Sequence, residues 1–286
     1  EPTYIQDDYY EQMRALTRYD DEIDEEMILL KNRMHSILQL SFPELEKILT
    51  PNSALFLNIV QLYPHPTLVL AHSKTVIKNR LKANTRKNLS LERAEKKAIA
   101  LLEAAQNSYP AIRSTDVRCE QVRDYANRIA ELKDKKEALV QQMITLSKDR
   151  KEYIVLRSIP GIGDSTACRL IGEMGDIRRF QNAKQLNAYA GIDIMRYQSG
   201  NTQYHDRINK RGNKHLRKLL YFMVCAMIMK KKDKPNHFVD YYYKLKTQPQ
   251  RKPHKVAIIA CINKFLKVTF QLLTHGILYD YETALS

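Results

Sequence analysis

The first 160 residues of this 286-residue chain contain no glycine; seven of its eight glycines lie between Gly161 and Gly212. Tryptophan is absent, and there are four cysteines, Cys119, Cys168, Cys225 and Cys261. They are far apart, in apolar helical contexts, without CxxC or Cys/His spacing. That argues against zinc and disulfides and fits a reducing cytoplasm. The longest apolar run, Leu219 to Met229, is too short to cross a bilayer, and the last apolar segment, Val256–Leu273, is interrupted by Asn263, Lys264 and Lys267. With no signal peptide visible, no membrane partner is expected. The chain opens at Glu1 without a methionine, which suggests a fragment or a processed product.

What is present is charge, unevenly placed. The net charge is +15, so an anionic partner is the first expectation. Residues 1–50 carry 5 Lys/Arg against 12 Asp/Glu, whereas residues 205–255 carry 15 Lys/Arg against 3 Asp/Glu. The basic third therefore reads as a binding face.

Apolar residues recur in steps of three and four from Tyr10 and Met13 through Ile23, Met27, Leu30 and Met34 to Ile37, predicting one helix over 7–40 with the acidic run Asp20–Glu26 on its solvated faces. A second stripe, Val122, Tyr125, Ile129, Leu132, Leu139, Met143 and Leu146, predicts a helix over 116–151. Two such helices far apart in sequence suggest an antiparallel coiled-coil arm over 1–152 with a helical tip at 41–115. An all-helical globular lobe is the alternative. Within the tip, Tyr63-Pro-His-Pro66 reads as a loop, Ser73–Lys82 as a short basic helix, and Leu89–Gln106 as a helix capped by Ser90. Strand signals are weak, at Ile154–Val155 and Gly191–Tyr197 alone, so the fold class is all-α, with a second, glycine-punctuated domain over 153–286.

The first glycines sit in Leu156-Arg-Ser-Ile-Pro160-Gly161-Ile-Gly163-Asp-Ser-Thr166-Ala167. Helix, tight turn, then a helix opening at Asp164 or Ser165 is the pattern of a helix-hairpin-helix. Amides free of Cβ at a helix N-terminus can hold a phosphate, with Gly161, Gly163 and Thr166 as contacts. Such a contact positions nucleic acid without reading bases. A plain helical turn capped by Asp164 is the alternative.

Further on, Ile208-Asn-Lys210-Arg211-Gly212-Asn213-Lys214-His-Leu-Arg217-Lys218 is a basic turn feeding a helix. Arg207, Lys210, Arg211, Asn213, Lys214, Arg217 and Lys218 are candidate contacts to a DNA or RNA backbone, which predicts strong salt dependence. Upstream of them, Gln198-Ser199-Gly200 places a hydroxyl in a loop. A serine that attacks a phosphodiester needs exposure and cations on the phosphoryl oxygens, though most Ser-Gly pairs are only turns.

Taken in order, Leu156-Arg-Ser-Ile-Pro-Gly-Ile-Gly, Phe180, Leu186-Asn-Ala-Tyr-Ala-Gly, Gln198-Ser-Gly and Lys210-Arg-Gly-Asn-Lys-His-Leu-Arg resemble the transposase domain of a group of bacterial insertion-sequence recombinases. This group is related to the Piv-type DNA invertases and is guided by a structured bridge RNA. Leu16-Thr-Arg-Tyr, Leu30-Lys-Asn-Arg-Met-His and Phe42-Pro-Glu-Leu resemble its coiled-coil entry, so the likeness covers nearly the whole chain. The resemblance implies that Ser199 is a catalytic nucleophile forming a phosphoserine link to DNA. It implies a RuvC-like domain, whose four acidic residues bind Mg²⁺, upstream of residue 1. It also implies a guide RNA as partner, a homo-oligomer (dimer or tetramer) formed through the coiled coil, and a bacterial cytoplasmic setting. Without the acidic domain, the chain alone is expected to bind nucleic acid and cut nothing, with no metal ligands of its own.

Two other functions are open. A tyrosine recombinase is suggested by His215, Arg217 and Tyr241–Tyr243, but residues two apart on a helix diverge by about 200°. A non-catalytic helix-hairpin-helix adaptor for structured RNA or branched DNA would share every binding feature and differ only in its indifference to Ser199.

Overall fold

The structure is a computed structural model that describes residues 6–51, 53–83, 89–195, 198–199, 202–203, 207–230, 235–247, 249 and 251–282, with backbone alone over the described positions of 194–207. Among the described residues the regular structure is helical apart from four two-residue strands. Two compact units are formed, one from Asp20–Ala138 and one from Glu1–Tyr19 with Leu139–Ser286. The boundary expected after residue 152 is a boundary of texture, and the compact units cut across it. Tyr9, Tyr10 and Met13 at one end, and Met143 at the other, bury their side chains among residues of the C-terminal core.

In the Asp20–Ala138 unit, parts of α1 (Asp8–Ser41) and α7 (Val117–Ser147) frame five shorter helices: α2 (Leu45–Ile48), α3 (Ala54–Leu62), α4 (Pro66–Leu70), α5 (Lys74–Ala83) and α6 (Leu91–Gln106). Most of the expected stripe is buried, with Ile23, Met27, Leu30 and Met34 on α1 and Val122 and Ile129 on α7, whereas Tyr125 and Leu132 are half-buried and Ala126, not expected, joins the buried face. Leu57 and Ile59 of α3, Ile77 and Leu81 of α5, and Ala98 and Leu101 of α6 share one core with Leu30, Met34 and the α7 residues, so this unit is a helical lobe built on the helix pair. The pair is antiparallel within the unit, since Glu26 meets Arg128 at 3.0 Å while Asp24, two positions earlier, pairs with Lys136, eight positions later.

Local chemistry explains the ends. Phe42-Pro43 follows the last residue of α1, as expected of a residue before proline. Ser90 accepts from Arg93 N at 3.3 Å as the cap of α6. Tyr63-Pro-His-Pro66 is a loop that becomes a helix start: His65 caps α4, accepting from Thr67 N, and its Nε2 lies 3.0 Å from the Ile112 carbonyl.

The acidic run departs from its expected solvated state, because Asp20 and Asp21 are buried and Lys136 Nζ stands 3.6 Å from Asp20. Placing a lysine of the facing helix over the run makes burial tolerable, which charge counting along one helix does not reveal.

The other unit holds the remaining helices: α8 (Lys151–Ser158), α9 (Asp164–Met174), a 3₁₀ turn at Ile177–Arg179, α10 (Ala183–Ala190), α11 (Lys214–Met229), α12 (His237–Thr247) and α13 (His254–His275). Between α10 and α11 lie β1 (Ile194–Met195), β2 (Gln198–Ser199), β3 (Thr202–Gln203) and β4 (Arg207–Ile208). β1 pairs antiparallel with β4, and β2 with β3. The weak strand signal at Gly191–Tyr197 thus marks a ribbon, whereas Ile154–Val155 is part of α8. Among the described residues α13 is the one helix long and apolar enough to cross a membrane. Here Ala257, Ile258, Cys261, Ile262, Phe265 and Leu266 bury it in the core.

Within this unit α9 crosses the first turns of α1 at Gly172. A Cβ there would overlap Thr17 Oγ1 and stand 2.6 Å from the Met13 carbonyl oxygen. Alanine gains about 1 kcal/mol of helix propensity over glycine, but the carbonyl belongs to a helix that cannot yield locally. Gly172→Ala should therefore lower unfolding free energy by about 1–3 kcal/mol in a urea titration. Gly163→Ala, with nothing within 4 Å, meets no clash and should cost only the poorer N-cap, about 0.5–1 kcal/mol.

Candidate nucleic-acid interface and the Ser199 ribbon

Two glycine backbones meet where the ribbon leaves the helices. Gly191 ends α10 in the left-handed region at φ +67°, and a Cβ on it would sit 2.7 Å from Gly212 N. A Cβ on Gly212 would overlap the Tyr189 carbonyl oxygen and Gly191 N. Gly212 was expected as a turn residue; its φ is not in the positive range, and close approach of another backbone is what requires it. The contact lets the chain ladder onward: Asn209 N donates to Asp193 O at 3.0 Å, Lys210 N to Gly191 O at 3.0 Å, and Asn213 N to Tyr189 O at 2.6 Å. Lys210 takes φ +59°, unusual for a side-chain-bearing residue. Arg217 holds it there, donating to the Ala190 and Lys210 carbonyls at 3.0 and 3.3 Å.

Asn213 is the second fixed point. Its Oδ1 caps α11, accepting from His215 N and Leu216 N, while its Nδ2 donates to Glu173 Oε2 at 2.6 Å and Tyr189 OH at 3.1 Å. Glu173 is 1% exposed, at the end of α9, with Arg18 Nε 3.5 Å from its other oxygen. The Tyr189 ring lies against Phe180, and the Arg179 guanidinium sits 4.3 Å from its centroid. A cleft of about 440 Å³ opens over this network, with Arg18, Arg211 and Lys214 around it.

The sequence candidates therefore divide. Lys214 and Lys218 are on the first turns of α11, and Lys210 and Arg211 are exposed in the turn before it. Asn213 and Arg217 use their polar groups at the ribbon's root, so they position the interface. Ser199 lies in β2 opposite Thr202 of β3, and Arg207 lies in β4 opposite Met195; their side chains, like Gly200, fall outside the described residues. His215 lines the cleft over Glu173, while Arg217 lines a different groove. The divergence expected of them is seen, and Tyr242 is buried rather than presented to a phosphate.

The glycine hairpin is a packed corner. Gly161 has φ +91°, and a Cβ there would meet Met227 Cγ at 2.7 Å. Asn236 Nδ2 donates to Pro160 O at 2.7 Å, and Arg157 donates to the Ile162 carbonyl. The cap of α9 is Gly163, and Asp164 is its first residue. Tyr153 OH donates to Asp164 Oδ1 at 2.5 Å and Arg157 Nε lies 2.6 Å from it. That Tyr153 bond, helped by Arg157, holds Asp164 below the usual carboxylate range. Burial and the same bond push Tyr153 up to about 12. Thr166 is half-buried in the first turn. Met227 and Lys214 are thirteen residues apart on α11, so hairpin and ribbon root are about 20 Å apart along it. One phosphate cannot touch both.

The Mg²⁺ implied by the family resemblance needs converging carboxylates. Among the described residues no three His, Cys, Asp or Glu side chains are grouped to hold one, and the resemblance assigns those carboxylates to a RuvC-like domain rather than to these residues. Sequence reasoning missed Glu173, Tyr189 and Arg18 as functional supports. Tyr189 and Arg18 stood inside the motifs that carried the resemblance, but nothing along the chain joined them to Asn213.

Comparisons with known proteins bear on this segment. The model of a family described as Transposase IS116/IS110/IS902 matches residues 154–242. A second, described as snoRNA binding domain, fibrillarin, matches residues 19–185. The transposase for insertion sequence element IS1111A of Coxiella burnetii is 31% identical over 134 residues, 47% of this chain and 36% of that protein. A 43.6 kDa protein of insertion element IS110 from Streptomyces coelicolor is 22% identical over 284 residues, 96% of this chain and 66% of that protein. The pilin gene-inverting protein of Moraxella bovis is 29% identical over 127 residues, 44% of this chain and 38% of its own length. The chain thus spans between about a third and two thirds of the length of these relatives.

Removing the Asn213 side chain tests the root. Asn213→Ala should lose about 1 kcal/mol for the cap and a further ~1–3 kcal/mol for the buried carboxylate oxygen left without its donor. Adding Glu173→Gln to that variant should recover part of the second loss, as read by urea unfolding of both.

Proposed function

The chain belongs to the IS116/IS110/IS902 transposase family, and we propose that it is the nucleic-acid-binding part of an RNA-guided DNA recombinase in which Ser199 is the nucleophile. The observation that supports this reading is that the strand pair bearing Ser199 and Thr202 lies in the segment between β1 and β4, whose ends are held at Gly191 and Gly212 beside the cationic start of α11. The family match over 154–242 contains both parts.

In this mechanism Ser199 Oγ attacks the phosphorus of a DNA phosphodiester. An Oγ–P bond forms, the bond from phosphorus to the leaving deoxyribose oxygen breaks, and the serine proton passes to the medium as the leaving oxygen gains one. Because one ester replaces another, the reverse attack by a different strand end completes exchange without an external energy source. Lys210, Arg211, Lys214 and Lys218 hold the DNA backbone and offset the charge that grows on the phosphoryl oxygens. Gly161, Gly163 and Thr166 offer a second backbone contact about 20 Å away. Asp164 tempers it, since its carboxylate shares that helix end.

The snoRNA-binding match over 19–185 supports placing a structured guide RNA on that part of the chain. Base pairing would then choose the target while the protein reads shape and charge. Exposed Ile28 and Leu29 on α1 support a homo-oligomer formed through the long helices, acting in the bacterial cytoplasm. The same RNA-side match favours a second reading, a non-catalytic adaptor for structured RNA or branched DNA.

A single experiment separates them. The chain, with whatever flanking sequence its gene encodes, is incubated with guide RNA, end-labelled target DNA and Mg²⁺, then run under denaturing conditions. A protein–DNA adduct is expected that Ser199→Ala abolishes while DNA affinity stays within about twofold; an adduct in both variants sinks the nucleophile assignment, and tight binding without any adduct favours the adaptor. On the binding side, Lys214→Gln and Lys218→Gln should each reduce the slope of log K against log salt by about 0.9 for every phosphate no longer neutralised.

A further inference from the structure

We propose that the groove between α11, α12 and α13 seats an unpaired nucleotide strand, bases on its aromatic wall and phosphates on its lysine rim; this rests on the reading of the chain as a nucleic-acid enzyme but not on Ser199. The groove measures about 910 Å³, at the upper end for clefts that take small ligands and open enough for a chain to run through. Its apolar side is made by Tyr221 and Phe222 of α11, Tyr241 of α12 and Val256 of α13. Phe222 is 61% exposed and Val256 50%.

Around these stand Lys214, Arg217 and Lys218 from α11, Lys252 from just before α13 and Lys255 from its first turn. No carboxylate lines the groove among the described residues. The carboxylates on flanking segments are engaged with neutral groups: Asp193 accepts from Asn209 at 3.2 Å and Asp240 from Tyr281 OH at 2.8 Å. The placement is helical arithmetic, since 214, 218, 221 and 222 share one face of α11. Ile192 and Ile208, at the root of the Ser199 segment, also line the groove, so a strand lying in it would pass that root.

The combination selects the occupant. Cations alone would suit duplex DNA, whose base faces are hidden within the stack. An apolar wall alone would suit a protein helix or a second copy of this chain, but a second copy would bring a chain of net charge +15 to a rim of five cations. Aromatic faces beside cations, without acids, are what unpaired bases on a phosphodiester backbone bind, and strand exchange exposes such a segment.

Because the chain has no tryptophan, Phe222→Trp supplies a sole indole reporter. The 286-residue chain carrying it is titrated with oligothymidylate, oligouridylate and a short duplex, and the unsubstituted chain is compared with Phe222→Ala on the same probes. Quenching by either single strand, with Phe222→Ala weakening that strand about tenfold and the duplex less than twofold, is the expected result. Quenching by oligothymidylate alone assigns the groove to DNA, by oligouridylate alone to RNA, by both to either. Quenching by duplex only, by nothing, or an equal loss for strand and duplex overturns the proposal. So does sedimentation showing that Phe222→Ala breaks an oligomer without changing strand affinity, since a second copy would then cover the groove. Phe222 is exposed, so thermal melting of both variants should stay near that of the parent chain. Every readout here is equilibrium binding and needs no adduct, which keeps failure here distinct from failure of the nucleophile assignment.

Discussion

The backbone contact between Gly191 and Gly212 is the constraint on which the candidate interface depends. Two segments about twenty residues apart touch without side chains between them, and this closeness brings the end of α10, both outer strands of the ribbon and the start of α11 to one point. Asn213 follows immediately and ties that point to Glu173, a buried carboxylate at the far end of the hairpin's second helix. A buried acid of this kind is costly unless its oxygens are met. Its donors, Asn213 and Arg18, therefore belong to the site no less than the residues that could touch DNA.

From this follows a division among the cations. Arg157, Arg179 and Arg217 donate to main-chain carbonyls, at Ile162, Met174 and at Ala190 and Lys210 respectively. They fix the corners of the fold. The guanidinium fork suits this work, since it satisfies several acceptors at set angles. The lysines at 214, 218, 252 and 255 remain on the surface, where flexible point charges can follow a phosphate backbone. Within the basic third, Arg217 thus has a structural part, whereas Arg211 and the lysines present their charge at the surface.

How much of this could be read beforehand differs by feature. The long helices were legible within a few residues, because a 3.6-residue period repeated over about thirty positions leaves little choice. The Ser90 cap and the stop at Pro43 were legible for local reasons of the same kind. Asp20 and Asp21 read as solvated because Lys136, the lysine that stands over the run, is more than a hundred residues away. Gly212 read as a turn glycine because a close approach leaves no mark on its own segment. The ribbon was nearly invisible, since two-residue strands are too short to show alternation.

The sequence by itself determined the helical class, the contrast between an acidic start and a basic later third, the glycine punctuation and the motif series that marks the transposase family. All of these are carried by neighbours along the chain or by composition, so no folding is needed to see them. Tertiary structure alone decided which glycine meets which, that Glu173 is held by Asn213 and Arg18, and that Tyr221, Phe222, Tyr241 and Val256 line one groove among lysines. Those facts depend on close packing between residues distant in sequence, and a linear pattern does not encode which distant atom will lie across a contact.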